Sequence, residues 1–425
     1  MVRTSKSKKR VAVIGLGFVG LTTALGFAEK GFDVFGFDVD AGRMGQIKRG
    51  ELPFHEPHLG EALTRHLGKR FRLAASFAEA VQKSDLIFYC VGTPQSSSGA
   101  ADLSYLARAI ESTLAAIKRR PFKTLVVKST VPPGSVQSRI LPLFKKSRLV
   151  IGRDIGLANN PEFLREGVAW EDFMNPDRIV IGSNDTKSFD AVAALYKDFG
   201  ADIFHVSPST AEFIKSCSNA LLATLISFAN EVSIIADRVG GIDVKRAFEV
   251  LHRDRRWTGQ PGKMSTYAFP GCGFGGYCLP KDIAALQHSA HLAGCKPELL
   301  RAVITANRAI KDHFVDKIIA ATNPRTRIGI LGLSFKPGSD DVRDSPAAEI
   351  IALLLQRDRK NLVAYDPMAN ESYQNLYRQP IKFVGGMKEL AKQAEVFVLL
   401  TAWPEFKEKR NLLRGKPMFD GRYFL

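Results

Sequence analysis

Two rhythms of hydrophobic and polar positions alternate along this chain. Val11-Ala12-Val13-Ile14 is a short apolar, mostly β-branched run, the pattern of a strand buried on both faces of a parallel sheet. A stretch with helical spacing follows from Leu21 to Lys30, Gly31 stops it, and Asp33 to Asp38 reads as the next strand. The strand pattern returns at Asp85–Val91, Leu125–Thr130 and Asp154–Leu157. In an open sheet of this kind, ligands sit outside the carboxyl ends of the strands.

The middle of the chain has only the helical rhythm. Ser209-Thr210-Ala211-Glu212 reads as a capping box, and apolar residues recur from Phe213 to Val239 until Gly240-Gly241. A helix of about 30 residues exceeds the globular mean and serves as a spine between domains or as a pairing face for a second copy. Strands then resume at Arg327–Leu333, Leu362–Asp366 and Glu395–Thr401. Ser345 and Pro346 fit the cap and first residue of a helix reaching Gln356. The expectation is an α/β protein: two Rossmann-like doubly wound domains joined by a long central helix and helical segment, with boundaries at 1–205, 206–310 and 311–425.

Composition narrows the function. With 425 residues, 45% hydrophobic and 24% charged, the chain is globular rather than disordered or fibrous. Its longest apolar stretch, Leu221–Ala236, is interrupted by Asn230 and Glu231 and is too short for a bilayer span of ~20 residues. The basic start from Met1 to Arg10 runs directly into a strand, so no signal peptide is expected. Five cysteines, an odd number, suit the reducing cytoplasm. The net charge of +17 points to an anionic partner. The basic residues are scattered among acids without interleaved aromatics, which favours a phosphate-bearing small molecule over nucleic acid.

Three segments carry the candidate chemistry. Gly15-Leu16-Gly17-Phe18-Val19-Gly20 lies between a strand and a helix, and Asp38 ends the next strand about 20 residues on. That context marks a dinucleotide loop: Gly15, Gly17 and Gly20 let backbone approach a pyrophosphate, and Asp38 suits a ribose hydroxyl, hence NAD over NADP. Thr93, Thr130 and Glu162 follow later strands of the same sheet. Lys215 and Asn219 are four apart on the long helix and share a face. Gly271 to Asp282 packs four glycines before Cys278, which is expected just ahead of a helix from Asp282 to Leu292. A thiol there is activated by the helix dipole and by Lys281. Cys272 and Cys278 lack metal-ligand spacing, so no metal is expected. Lacking a glycine fingerprint, the last domain offers Lys336 and Arg343 as cations for a different phosphate ligand, if any.

Taken together, VAVIGLGFVGL from Val11, NNPEFLREG from Asn159, AEFIKSCSNALLATLISFANEV from Ala211, GFGGYCLPKD from Gly273 and FKPGSDDVRDSP from Phe335 resemble the UDP-glucose/GDP-mannose dehydrogenase family over nearly the whole chain. The resemblance implies a four-electron oxidation of a nucleotide sugar at C6 by NAD in a homodimer or larger oligomer. UDP-glucose is the favoured sugar, with GDP-mannose or a UDP-N-acetylhexosamine as alternatives. It implies Cys278 as the covalent nucleophile, Lys215 and Asn219 as oxyanion donors, and Thr130 and Asp282 as holders of the hydrolytic water, with Glu162 or Asp282 as the base. It carries over Val19, Asp38, Arg43, Thr93, Thr130, Lys281 and Arg343 as NAD contacts. Substrate contacts carried over are Glu162, Phe163, Leu164, Arg165, Glu166, Lys215, Asn219, Tyr267, Gly271, Gly275 and Lys336. Asp254-Arg255-Arg256-Trp257 matches the family's DPRIG motif only in part; Arg256 is the substrate contact it supplies. The competing readings are a two-electron hydroxyacid dehydrogenase, which needs no cysteine loop, and a non-catalytic NAD sensor.

Overall fold

The computed structural model describes residues 9–117, 121–147, 149–254, 269–292 and 297–425. Two compact units part between Cys217 and Ser218.

The first unit is an eight-stranded sheet made of β1 (Arg10–Ile14), β2 (Asp33–Phe37), β3 (Phe71–Leu73), β4 (Leu86–Tyr89), β5 (Lys123–Val127), β6 (Ile155–Asn159), β7 (Arg178–Gly182) and β8 (Asp202–Val206), in the order β3-β2-β1-β4-β5-β6-β7-β8. Neighbours run parallel except β6 and β7, which meet antiparallel at Asn159 and Gly182. The chain builds outward from β1 in one direction and from β4 in the other, so a topological switch point lies between them. The central strands are buried along both faces, which accounts for their continuous apolar runs. One face packs around Phe27, whose ring lies 5.2 to 5.4 Å from those of Phe88, Phe173 and Tyr196.

The second unit holds a five-stranded, all-parallel sheet of β9 (Ile328–Leu331), β10 (Leu362–Tyr365), β11 (Lys382–Phe383), β12 (Val396–Leu399) and β13 (Met418–Asp420), ordered β11-β10-β9-β12-β13. The helix Pro346–Gln356 starts where its sequence says it should. Ser345 Oγ accepts from Ala347 N at 3.1 Å and donates to the Leu333 carbonyl at 2.6 Å.

Two helix starts differ from expectation. The long helix is Pro208–Val239, 32 residues, and Ser207 Oγ, not Ser209, accepts from Thr210 N at 3.2 Å. Pro208 favours this earlier start, because proline at the first helical position has its φ preset and no amide to orphan. Glu212 therefore closes no capping box; its carboxylate accepts from Gly134 N and Val136 N at 2.6 and 2.8 Å. Similarly, Cys278 is the first residue of the helix Cys278–Leu292 rather than a residue ahead of it. Among the described residues, no helix is long and apolar enough to cross a membrane.

Candidate active site

The loop after β1 is shaped by its glycines. Gly15 has φ +89°, and a Cβ there would sit 2.7 Å from the Cys90 carbonyl oxygen. A Cβ on Gly20 would meet the Gly15 carbonyl oxygen at 1.8 Å, whereas one on Gly17 would have nothing within 4 Å. The outer two glycines therefore serve the fold, and the middle one leaves bare backbone facing open space at the start of the helix Phe18–Glu29. This is the geometry that admits an anion to a helix N-terminus. Val19 lies in the first turn of that helix.

Asp38, at the end of β2, is buried. Its carboxylate accepts from Leu16 N at 2.6 Å, Asp40 N at 2.9 Å and Arg43 Nη1 at 2.8 Å. One carboxylate thus joins the glycine loop to the start of the next helix and holds Arg43 beside it. Across the switch point, Thr93 Oγ1 donates to the Thr130 carbonyl at 2.9 Å and ties the loops after β4 and β5 together. The bare Gly17 backbone and the acid at the strand end fit an NAD-sized dinucleotide.

Beyond β6, a second group of the same unit surrounds Glu162. Its Oε1 lies 3.0 Å from Lys215 Nζ, both side chains being buried, and its Oε2 accepts from Leu164 N at 2.8 Å. Burial by itself pushes the Glu162 carboxyl up; the Lys215 ammonium overcomes this and holds it below the ordinary glutamate value. Phe163 lies 4.0 Å from the Arg178 guanidinium and 5.6 Å from Lys215 Nζ. Leu164 packs on the core, Arg165 forks onto Asp172 at 2.6 and 3.0 Å, and Glu166 is partly buried.

A third group belongs to the second unit. Cys278 is exposed and opens its helix, which is not the setting of an inert core thiol. One turn on, buried Asp282 accepts from Lys281 Nζ at 2.5 Å and from Asn219 Nδ2. Burial works against the Lys281 charge, but Asp282 outweighs it and the ammonium stays above its ordinary value. Two cations lie over the Tyr277 ring, Arg343 at 4.4 Å and Lys281 at 5.3 Å. Arg343 also forks onto Asp341, and Lys336 lies over Phe335 at 5.2 Å. Lys215 and Asn219 sit four apart on one helix as expected; the first engages Glu162 and the second Asp282.

The loop glycines have an internal use that spacing alone did not indicate. A Cβ on Gly275 would meet the Asp344 carbonyl oxygen at 2.1 Å, and one on Gly276 would press on the Phe335 ring. Gly271 N donates to Asn230 Oδ1 at 2.6 Å. Arg256 and Tyr267 lie outside the described residues.

Residues 9–200, 209–309 and 329–425 match, in that order, the NAD binding, central and UDP binding domains of the UDP-glucose/GDP-mannose dehydrogenase family. The chain belongs to this family. It is an NAD-dependent nucleotide-sugar 6-dehydrogenase, an oxidoreductase. It is similar to UDP-glucose 6-dehydrogenase TuaD of Bacillus subtilis (strain 168), with 36% identity over 97% of this chain and 89% of that one. The solved UDP-glucose dehydrogenase of the hyperthermophilic archaeon Pyrobaculum islandicum is 37% identical, covers 100% of this chain and 96% of its own, and superposes with a TM-score of 0.91. A UDP-D-ManNAc dehydrogenase from Pyrococcus horikoshii is 29% identical, covers 98% of this chain and 96% of its own, and gives 0.83.

Two side chains near these groups in the dehydrogenase escaped the sequence reading. Asn307, on the helix Glu298–Ala320, accepts from Phe274 N at 2.8 Å and donates to the Phe274 carbonyl at 3.0 Å, clamping the cysteine loop. Its signal was available: an amide on the apolar side of a helix, three residues from both Ile304 and Ile310. Lys128, at the end of β5, is also buried. It looked like the polar end of a strand.

Proposed function

We propose that the enzyme oxidises the C6 alcohol of UDP-glucose to the carboxylate of UDP-glucuronate, a four-electron change. The sugar assignment is supported by relatives named UDP-glucose 6-dehydrogenases at 33–37% identity over 93–98% of this chain. The observation that carries the mechanism is an exposed cysteine opening a helix, with a buried aspartate one turn on held by a lysine and an asparagine.

Bound NAD supplies the hydride acceptor for each of the two oxidations. The alcohol first loses a hydride from carbon to that acceptor and a proton from oxygen to solvent, giving the aldehyde. An aldehyde in that form has no tetrahedral carbinol carbon from which a second hydride can leave, so the Cys278 thiolate adds to it. The new C–S bond leaves an alkoxide that Lys215 and Asn219 stabilise as donors, a contribution of roughly 3 kcal/mol for one well-placed group. Loss of the second hydride from the same carbon yields a thioester. Water then adds to the thioester carbonyl, the C–S bond breaks, and the products are the carboxylate and the free thiol. In this scheme Thr130 and Asp282 hold the water, and Glu162, kept ionised by Lys215, takes its proton. The cations Lys336 and Arg343 serve the phosphates of substrate and cofactor.

The test is a panel of UDP- and GDP-sugars scored for NADH per sugar consumed. Two NADH per UDP-glucose is expected. One NADH per sugar, or turnover confined to another sugar, overturns the proposal. Two copies are proposed to pair along the long helix, where Phe213, Leu221 and Phe228 are each half exposed or more. A Phe228→Glu variant that keeps the wild-type mass in light scattering rules this out.

A further inference from the structure

Two residues before Glu162, Asn160 holds a second buried lysine that the mechanism does not use. Lys128 is only 4% exposed. Its Nζ is 3.2 Å from Asn160 Oδ1, 3.4 Å from the Asn160 carbonyl oxygen and 3.5 Å from Tyr196 OH. Tyr196 OH donates to the same Asn160 Oδ1 at 2.6 Å, Asn160 Nδ2 donates to the Val180 carbonyl at 2.9 Å, and Asn160 N donates to the Val127 carbonyl at 2.8 Å. Asn160 is thus wired to β5, to β7 and to the helix Thr186–Tyr196. Two residues further along the same turn stands Glu162.

A buried ammonium whose hydrogen-bond partners are neutral is costly unless a compensating charge is near. The carboxylate whose charge acts on it is Glu162, two residues beyond its hydrogen-bond partner Asn160. The ionisable groups facing Lys128 are Cys90 after β4, Tyr196 on its helix, Glu162 after β6 and Lys215 on the long helix. Burial pushes the Lys128 ammonium down to about 8, against the pull of Cys90 and Glu162, and it pushes the Cys90 thiol up to about 12. Cys90 is therefore a neutral neighbour near pH 7, and the charged members are two lysines and one glutamate.

We propose that Lys128 is a positioning residue: it anchors the Asn159–Glu162 turn through Asn160 and stands as a second cation acting on the Glu162 carboxylate. Lys215 approaches the carboxylate directly; Lys128 fixes the backbone that presents it. The inference rests on the reading of Glu162 as the base, and its test separates the two. In the full-length enzyme the Glu162 carboxyl band is assigned in the infrared by its loss in Glu162→Gln, and its titration is compared in wild type, Lys128→Met and Lys128→Arg. Removing the charge in Lys128→Met should raise the midpoint, and Lys128→Arg should restore it. A purely structural lysine would leave that midpoint unmoved.

Coupling between two titrating groups is reciprocal, so a second arm leaves Lys128 intact. In [13Cε]lysine NMR the Lys128 resonance, assigned by its loss in Lys128→Arg, should titrate lower in Glu162→Gln than in wild type. An unmoved carboxyl midpoint in Lys128→Met overturns the proposal. Should Lys128→Met fail to fold, an unmoved lysine in Glu162→Gln overturns it instead. The role of Glu162 as the base is judged separately, by whether Glu162→Gln abolishes the acid limb of the turnover profile.

Discussion

Asp38 and Asp366 occupy equivalent places in the two sheets, and each accepts from a backbone amide of the loop beside it: Leu16 N at 2.6 Å and Leu333 N at 2.7 Å. Each ends a strand parallel to the one that feeds that loop. Their remaining partners differ. Asp366 also accepts from Ser334 N and Oγ, Trp403 Nε1, Met368 N and Ala369 N, which fills the roughly four lone-pair sites of a carboxylate. Asp38 accepts from Asp40 N and Arg43 besides, which leaves acceptor capacity for a ribose hydroxyl. One topology therefore yields one acid available to a dinucleotide and one consumed by its own domain.

Replacing Asp38 with Ala should weaken NAD by about 10- to 100-fold, the worth of one or two charge-assisted hydrogen bonds. It also frees Arg43 to meet a 2′-phosphate, so the NADP/NAD ratio of kcat/KM should rise. Steady-state kinetics with both cofactors reads this out, and an unchanged ratio removes Asp38 from cofactor selection.

Cys278→Ser should abolish uronate formation while NAD still binds within a few-fold of wild type, because it exchanges one sulfur for one oxygen and leaves the Gly15–Gly20 loop and Asp38 intact. Product analysis and cofactor titration are the measurements. Uronate made at the wild-type rate would exclude a covalent route.

Asn307→Ala leaves Phe274 N and its carbonyl unpaired in a buried place and should cost about 1–3 kcal/mol of stability. Asn307→Asp keeps the acceptor for Phe274 N but sets a carboxylate against the Phe274 carbonyl. Its melting temperature should fall as well, with a lower kcat and little change in NAD affinity.

Glu212 provides the pH test. Burial pushes its carboxyl up to about 7, opposed by the amides of the Gly134–Val136 turn. An acid whose folded value lies above its unfolded one binds its proton more tightly when folded. Its contribution to stability is therefore greatest below about 4.5 and is lost as pH rises through about 7. In Glu212→Gln the melting temperature should depend less on pH across that window, as calorimetry at several pH values would show. An identical slope in both proteins would exclude Glu212 as its source.

Much of this architecture is local and was legible in one dimension. Runs such as Val11–Ile14 announce strands buried on both faces, and Ser345-Pro346 marks a helix start. The glycine loop and the acid at the end of β2 announce a dinucleotide site, because turn geometry and periodicity act within a few residues. Cys278 and Asp282 stood out as residue types in the glycine loop, but their place one helical turn apart came only from the helix starting four residues earlier than its sequence suggested.

The partner of each polar side chain was not written locally. Glu212 had the spacing of a capping residue, yet it reaches a turn more than seventy positions away. Asn307 meets Phe274 across 33 positions and Lys128 meets Asn160 across 32. A buried donor or acceptor must be satisfied by whatever packing brings near it, and packing joins segments that no sequence window contains together. Sequence by itself determined the buried central strands, the glycine turns and the reactive residue types; the outer strands β3, β8, β11 and β13 carry no such run, and the tertiary structure alone decided where they pair and which charge faces which.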